Sequence, residues 1–189
     1  MPEGVSADDE GAAKPASKGR GSGFGSAGTR SASQASAAKS AAQDLVASFS
    51  PDAAVCFTDG ACKGNPGPAG AGAVLKLPGG EHHERYRALG KATNNVGELT
   101  GVLLALELLD EAGFPATAQA EILSDSQYAN GVLTKGWKAN VNQELIATIK
   151  ARLKLRKARM HWIAGHVGVP ENERADALAN LGVAESSRR

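Results

Sequence analysis

After residue 50, the chain begins with apolar segments of strand length, and segments with a helical pattern follow them. Residues 53–58 form an unbroken apolar run, residues 71–78 form a second such segment, and residues 82–90 alternate imperfectly as a third. From Glu98 onward, apolar residues recur at three- and four-residue steps, which is the period of a largely buried helix. Three successive strands before a long helix indicate a meander at the start of a mixed sheet.

Strands and helices alternate in the second half of the chain. Short strands are predicted at residues 120–125 and 159–164, and helices at residues 126–136 and 143–157. Pro170 opens a final helix, because proline is favoured in the first helical turn. The predicted order is three strands, helix, strand, two helices, strand and helix. This order indicates an α/β fold with helices on the faces of a mixed sheet.

The first 50 residues differ in composition from the rest of the chain. They are rich in Ala, Ser and Gly, and their apolar side chains are too sparse to bury a core. We therefore expect a disordered tail at residues 1–50 and a folded domain at residues 51–185. Residues 36–49 have the composition of a short helix, but nothing in the segment identifies a partner for it.

Charge and cysteine content exclude several classes of protein. The formal net charge is +1, so bulk charge indicates no partner. Cys56 and Cys62 are too few for a disulfide framework, and their spacing is not that of a CxxC zinc site. No apolar run is long enough to span a bilayer, and the acidic residues near the N-terminus are not typical of a signal or transit peptide. We expect a soluble, monomeric protein of the cytoplasm.

Four acidic residues occupy positions where a sheet of this kind gathers ligands. Asp59 and Asp125 end predicted strands, Glu98 lies in the first turn of the buried helix, and Asp176 borders the apolar stripe of the last helix. Four ionised carboxylates repel one another unless cations compensate, and oxygen ligands suit Mg²⁺ or Mn²⁺. The pattern predicts two divalent ions about 4 Å apart and metal-assisted hydrolysis of a phosphodiester.

Each of these acidic residues also has an ordinary structural interpretation. Asp59 precedes a glycine, as in many turns, and Glu98 follows Asn95 at the spacing of a capping box. Asp125 is a candidate cap for the helix that follows it, and Asp176 a charge on a solvated face. Taken singly, none of the four establishes a site.

Four segments of the chain together resemble the four sequence blocks of type 1 ribonuclease H. They cover about residues 54–182 in the family's order: FTDGACKGNPGPAGAGAVL, TNNVGELTGVLLALELL, ILSDSQYANGV and HWIAGHVGVPENERADALAN. The resemblance implies a ribonuclease H-like fold, with a five-stranded mixed sheet of order 3-2-1-4-5. It also implies an endonuclease that cuts the RNA strand of an RNA/DNA hybrid, such as an R-loop or a replication primer. Two Mg²⁺ ions, replaceable by Mn²⁺, would serve this reaction, which leaves 5′-phosphate and 3′-hydroxyl ends.

The resemblance also assigns roles to individual residues. The family's four metal-binding carboxylates match Asp59, Glu98, Asp125 and Asp176. His166 matches a mobile-loop histidine that assists proton transfer or product release, although an ordinary loop histidine is the alternative. Thr93 matches a site that binds a phosphate of the DNA strand. The other matched substrate positions either read the minor groove or permit close backbone approach, although asparagines and glycines also simply form turns and caps: Gly60, Asn65, Asn94, Asn95 and Gln127.

The chain departs from the family between the short helix and the next long one. Many relatives insert a basic protrusion there, whereas only residues 134–142 lie between them here. Trp137 in this segment either stacks on DNA or covers the core, and Trp162 is predicted to lie in the core. Two basic triplets at helical spacing are either substitutes for the protrusion or a solvated helix exterior: Lys150, Lys154, Lys157 and Arg152, Arg156, Arg159.

Two other functions share part of this pattern. A transposase, a resolvase or the detached nuclease domain of a reverse transcriptase would have a similar sheet and similar carboxylates, but the TNN and DSQY segments favour hybrid recognition. A non-enzymatic hybrid-binding protein would have a decayed site, whereas all four acidic positions are filled here.

Overall fold

The computed structural model describes residues 30–188 of the chain. Its elements follow one another in the order α1 (Ala32–Ala47), β1 (Ala54–Cys62), β2 (Gly67–Lys76), β3 (His82–Ala92), α2 (Asn94–Glu111), β4 (Ala120–Ser124), α3 (Gln127–Thr134), α4 (Gln143–Leu155), β5 (Arg159–Trp162) and α5 (Pro170–Ser186). The strands form one mixed sheet of order β3-β2-β1-β4-β5, in which the β1–β2 and β2–β3 pairs are antiparallel and the β1–β4 and β4–β5 pairs are parallel. This topology confirms the predicted fold.

Helices cover both faces of the sheet, and successive residues of its central strand point to opposite faces. On one side Cys56 packs in a cluster with α2, α3 and α4, and on the other side Phe57 packs in a cluster with α5. Both residues are almost fully buried. A central strand with two buried faces reads as an unbroken apolar run, which is why no polar alternation marks this strand in the sequence.

Strand β1 does not end at Asp59, so the interpretation of Asp59 and Gly60 as a turn is wrong. The antiparallel ladder to β2 continues from Asp59, opposite Gly72, as far as Cys62. The parallel ladder between β1 and β4 stops earlier, at Thr58 and Ser124. An opening therefore forms between the carboxyl ends of the two central parallel strands, with Asp59 on its edge.

Helix α1 contradicts the predicted disorder of residues 1–50 in the part of that tail that the structure describes. An alanine-rich segment has high helix propensity, and α1 buries Ala42 against the Phe57 side of the sheet. Leu45, Val46 and Phe49 pack against the same cluster. The sequence of this segment did not reveal its partner because the surface that receives α1 is built from distant strands and from α5. Residues 1–29 lie outside the described residues.

The three arginines of the second basic triplet bind other parts of the protein. Arg156 is buried, and its Nε donates to Asp110 Oδ1 at 2.7 Å near the end of α2. Arg152 lies 3.6 Å from the same carboxylate, and Arg159 donates to the buried Glu121. The burial of Arg156 matches neither predicted role, nucleic-acid contact nor solvated exterior, whereas the side chains of Arg152 and Arg159 are 39% and 60% exposed, as the second interpretation predicts. The ion pairs attach α4 to α2 and β5 to β4.

The segment between α3 and α4 contains no helix, as expected from its short length. The indole ring of Trp137 covers Gly131 of α3, where an added Cβ would lie 2.2 Å from the ring. The Trp137 amide also donates to the Gly131 carbonyl at 3.1 Å. Trp137 therefore covers the end of α3, although its side chain remains about half exposed.

Among the residues that the structure describes, no helix has the length and apolarity needed to cross a membrane.

Candidate active site

Direct contact between the backbones of α2 and β1 brings two carboxylates together. A Cβ added to Gly60 would lie 2.1 Å from the Glu98 backbone nitrogen, and one added to Gly101 would lie 2.8 Å from the Asp59 carbonyl oxygen. Helix and strand therefore touch at a distance that side chains would prevent. This contact holds Glu98 of α2 beside Asp59 of β1.

The N-terminus of α2 is capped by Thr93, so the predicted capping role of Asn95 is wrong. The Val96 amide donates to the Thr93 hydroxyl at 3.3 Å, and Asn94 and Asn95 already belong to the helix. Glu98 is consequently the fifth residue of α2, so the prediction that it lies in the first helical turn is wrong. Its side chain is free of a capping role and points into the opening between β1 and β4, where it lines a pocket.

Asp59, Glu98 and Asp125 form one cluster at the opening of the sheet. One carboxylate oxygen from each lies within 4.8 Å of the others. The Gly60 amide donates to Asp59 Oδ1 at 2.7 Å, and Asn94 Nδ2 donates to Glu98 Oε1 at 3.2 Å. Glu98 Oε2 is buried and has no hydrogen-bond partner among the described residues. The cluster thus retains one buried carboxylate oxygen without a hydrogen-bond partner.

Asp176 and His166 border the same cavity, which we call the carboxylate pocket. Asp176, on α5, hydrogen-bonds through its side chain to Asp59 and accepts from Asn180 Nδ2 at 3.0 Å. His166 lies on the loop before α5, and its backbone has a φ of 53°, in the left-handed region. The structure therefore brings the four predicted carboxylates and the predicted histidine to one pocket.

The electrostatics of the carboxylate pocket favour protonation or a bound cation. Burial, together with the charge of Asp125, raises the pKa of Asp59 to about 8. Burial and the Asp59 charge raise the pKa of Glu98 well above its usual value, and burial raises that of Asp125. A set of oxygen donors with this much mutual repulsion, including the unpaired Glu98 Oε2, fits a hard divalent metal ion. The cluster could therefore bind a metal.

Asp125 is held by two residues whose role sequence reasoning missed. The side chain of Asn172, which is 3% exposed, hydrogen-bonds to the Asp125 carboxylate and lowers its pKa. Trp162 donates from Nε1 to the Asp125 carbonyl at 3.0 Å. The prediction that Trp162 lies in the core is wrong, since its side chain is 44% exposed on β5, the edge strand of the sheet. Neither residue has a spacing pattern that links it to Asp125, so only the folded structure reveals the contacts.

Ser126 caps α3, so the interpretation of Asp125 as the cap of this helix is wrong.

Four of the six predicted substrate contacts lie on the wall of the carboxylate pocket: Gly60, Asn94, Asn95 and Gln127. Asn65 lies just behind them, and its Oδ1 accepts from the Asn94 amide at 3.2 Å. Thr93 is the cap of α2 and does not line the pocket. The structure thus brings amide side chains to the rim of the acidic cluster and places Asn65 and Thr93 in supporting positions.

Comparison with known protein families gives a match over most of the chain. The family model for RNase H matches residues 51–184. A ribonuclease H of Bradyrhizobium sp. (strain ORS 278) is 43% identical over 148 residues, covering 68% of this chain and 88% of that protein. A ribonuclease H of Dechloromonas aromatica is 42% identical over 142 residues, covering 68% of this chain and 92% of that protein.

Solved structures of RNase H1 proteins are also similar to this chain. RNase H1 from the archaeon Halobacterium salinarum NRC-1 is 32% identical, with a TM-score of 0.57 and coverage of 70% of this chain and 98% of that one. LC11-RNase H1, solved in complex with an RNA/DNA hybrid, is 28% identical, with a TM-score of 0.63 and coverage of 71% and 99%. The fold, the acidic cluster and these matches together show that the chain belongs to the ribonuclease H family.

Proposed function

We propose that this protein is an endoribonuclease that hydrolyses the RNA strand of RNA/DNA hybrids. The observation that carries the proposal is the convergence of Asp59, Glu98 and Asp125, whose oxygens lie within 4.8 Å of one another in an accessible pocket. Family membership and the similarity to LC11-RNase H1, which was solved with such a hybrid, support the choice of substrate.

The metal ligands in this proposal are Asp59, Glu98, Asp125 and Asp176, which would hold two Mg²⁺ ions, with Mn²⁺ as a substitute. Four negative charges match two divalent cations, and an all-oxygen donor set suits hard ions. When bound, such a pair supplies Lewis acidity that activates water and stabilises the leaving oxygen of a phosphodiester. The products would carry 5′-phosphate and 3′-hydroxyl ends.

His166 has the position of a proton-transfer residue. It lies on the wall of the carboxylate pocket, and its positive charge, when present, lowers the pKa of Asp125. Its exposed imidazole is available to exchange a proton with solvent and with groups inside the pocket. We assign to His166 the transfer of a proton to or from the reacting strand, or help with product release.

Recognition of the hybrid in this proposal depends on short amides at the pocket rim. Asn94, Asn95 and Gln127 line the pocket, and Asn65 supports Asn94 through a hydrogen bond. An A-like minor groove is wide and shallow and displays 2′-hydroxyl groups, which amides and the Gly60 backbone can contact without reading base sequence. Thr93 would bind a phosphate of the DNA strand from its position at the start of α2.

The decisive experiment compares end-labelled RNA/DNA hybrid, double-stranded RNA and double-stranded DNA as substrates of the purified chain, with Mg²⁺ or with EDTA. We expect metal-dependent cutting of hybrid RNA only. Asp125→Asn should abolish cutting while its circular dichroism spectrum remains that of the folded protein. Asp52→Asn is the matched control, because Asp52 is exposed and lies outside the pocket. Equal cutting of all three duplexes would contradict the proposal.

In the cell we propose that the protein acts as a monomer in the cytoplasm and removes R-loops and replication primers. Both cysteines are free, and Cys56 is fully buried, which supports a reducing compartment. Size-exclusion chromatography with light scattering tests the oligomeric state, and a mass of twice 19.3 kDa would refute a monomer. Accumulation of R-loops after depletion of the protein tests the cellular substrate.

A further inference from the structure

Arg30 lines the carboxylate pocket although it precedes the segment that the RNase H family model matches. That match begins at residue 51, whereas Arg30 lies immediately before α1 and shares the pocket wall with Asp125, Gly165 and His166. This part of the chain therefore adds a cationic side chain to the acidic cluster.

One contact of Arg30 itself and two features of the helix that follows it determine where Arg30 lies. Ser31 and Gln34 form a capping box, in which each side chain accepts from the backbone amide of the other, so the start of α1 is defined at the next residue. Helix α1 is attached to the sheet through the buried Ala42. Arg30 Nη1 donates to the Gly165 carbonyl at 2.8 Å. The guanidinium is thus held beside the loop that carries His166.

Gly165 links Arg30 to the metal-binding carboxylates. A Cβ added to Gly165 would lie 2.0 Å from Asp125 Oδ2, so the residue that accepts from Arg30 also touches the Asp125 carboxylate. A guanidinium has five N–H donors, and one of them serves the Gly165 carbonyl. Arg30 is exposed and forms no salt bridge within the described part of the chain. Its other donors and its charge are available to an anion entering the pocket.

We propose that Arg30 is a substrate-binding residue that contacts a phosphate of the nucleic acid strand lying on the carboxylate pocket. This proposal rests on the proposed function. A guanidinium suits a phosphate because its planar fork donates two parallel hydrogen bonds to two oxygens. It would also offset the repulsion between the phosphates of the bound strand and the acidic residues of the pocket. The contact is independent of base sequence, as required for cutting hybrids of any sequence.

The test measures KM and kcat for a labelled RNA/DNA hybrid over a series of salt concentrations, with the full-length wild type and three variants. Arg30→Gln removes the charge, and Arg30→Lys keeps it without the planar fork. Arg188→Gln is the matched control, because Arg188 is also an exposed arginine but does not line the pocket. Thermal unfolding of each variant checks that the fold is retained.

We expect Arg30→Gln to raise KM roughly tenfold and to reduce the slope of log KM against log salt by about one, the value for one lost phosphate contact. Arg30→Lys should recover the slope and part of the affinity, and Arg188→Gln should match the wild type. An Arg30→Gln variant with unchanged KM and slope would overturn the proposal. A fall in kcat with an unchanged slope would also overturn it, because Arg30 would then only position the loop. Absence of hybrid cutting by the wild type would refute the proposed function instead.

Discussion

Asp59 is buried, and its ionised form is unfavourable in the metal-free protein. The residue is only 6% exposed, and burial together with the Asp125 charge raises its pKa to about 8. In the unfolded chain the same carboxyl group ionises near pH 4. Ionised Asp59 is therefore a source of instability in the folded protein unless a cation is bound.

Asp59→Asn should stabilise the metal-free protein at pH 8 while abolishing activity. The substitution removes the buried charge but keeps an oxygen that accepts from the Gly60 amide. We expect a gain on the order of a few kcal/mol in the free energy of unfolding, measured by urea denaturation in EDTA. Asp52→Asn, on the exposed surface, should change neither stability nor activity. A destabilised Asp59→Asn would show that the carboxyl group is not repelled in this pocket.

Asn172 favours the ionised form of Asp125, which is the form that binds metal. Asn172→Ala removes a hydrogen bond that lowers the pKa of Asp125, so the carboxyl group should hold its proton to higher pH. We expect the Mg²⁺ concentration for half-maximal activity to rise roughly tenfold at pH 7, and less at pH 9. Asn140→Ala, at an exposed position, is the control. An unchanged Mg²⁺ requirement would indicate that Asn172 serves only to pack α5.

At the level of elements, the site depends on how closely α2 approaches β1. Gly60→Ala would place a Cβ 2.1 Å from the Glu98 backbone nitrogen, so the helix would have to move away from the strand. We expect a loss of about 1–3 kcal/mol of stability and a roughly 100-fold fall in kcat, because the Glu98 carboxylate would be displaced from Asp59.

Gly113→Ala tests whether any glycine-to-alanine substitution next to α2 has the same effect. Gly113 follows the other end of α2, has a φ of +65°, and has open space where a Cβ would lie. Its substitution should reduce stability by about 1–2 kcal/mol through backbone strain and leave kcat unchanged. Equal losses of kcat in the two variants would mean that overall stability, not the approach of α2 to β1, limits activity.

Helix α1 is an integral part of the described structure, and one buried alanine tests this. Ala42→Asp would place a charge where the side chain is 4% exposed, whereas Ala41→Asp places the same charge on the exposed face of the helix. We expect Ala42→Asp to lose about 2–4 kcal/mol of stability and Ala41→Asp to lose little. Hydrogen exchange should show faster exchange in α1 for Ala42→Asp alone. Similar exchange in both variants would contradict the observed packing.

The positions of the strands and helices and the candidate acidic residues were predictable because they depend on local or strongly patterned signals, whereas the strand order and the assignment of the four carboxylates to one site came from the resemblance to ribonuclease H. The apolar run around Cys56 and the periodicity of α2 follow from burial of whole faces, and Asp59 and Asp125 lie where strands part. The position of Trp162, the partner of α1 and the contact of Asn172 with Asp125 depend on which surfaces meet in three dimensions. No spacing in the sequence encodes those meetings.

For the whole molecule, the pKa values of different acidic groups are shifted in opposite directions, and these shifts predict how stability depends on pH. Burial alone would raise the pKa of Glu121, but hydrogen bonds from His161, Gln119 and Arg159 lower it. Groups with lowered pKa values stabilise the fold above the pKa of the unfolded chain, and that stability is lost as pH falls through the folded value. The carboxylate pocket has the opposite sign, since the pKa values of Asp59 and Glu98 are raised. The stability that the carboxylate pocket contributes to the fold is fully present below about pH 4 and is lost as pH rises.

The metal-free protein should therefore be most stable at about pH 5, and Mg²⁺ should move this optimum upward. Net charge has little influence on this curve, because the formal charge at neutral pH is only +1. Mg²⁺ binds the ionised carboxylates, so the increase in melting temperature that it causes should be larger at pH 8 than at pH 6. Scanning calorimetry of the wild type from pH 4 to pH 9, with Mg²⁺ or with EDTA, measures both effects, and Asp59→Asn should flatten the decline above pH 5. An EDTA curve that keeps rising between pH 5 and pH 8 would show that the acidic residues of the pocket do not repel one another in the folded protein.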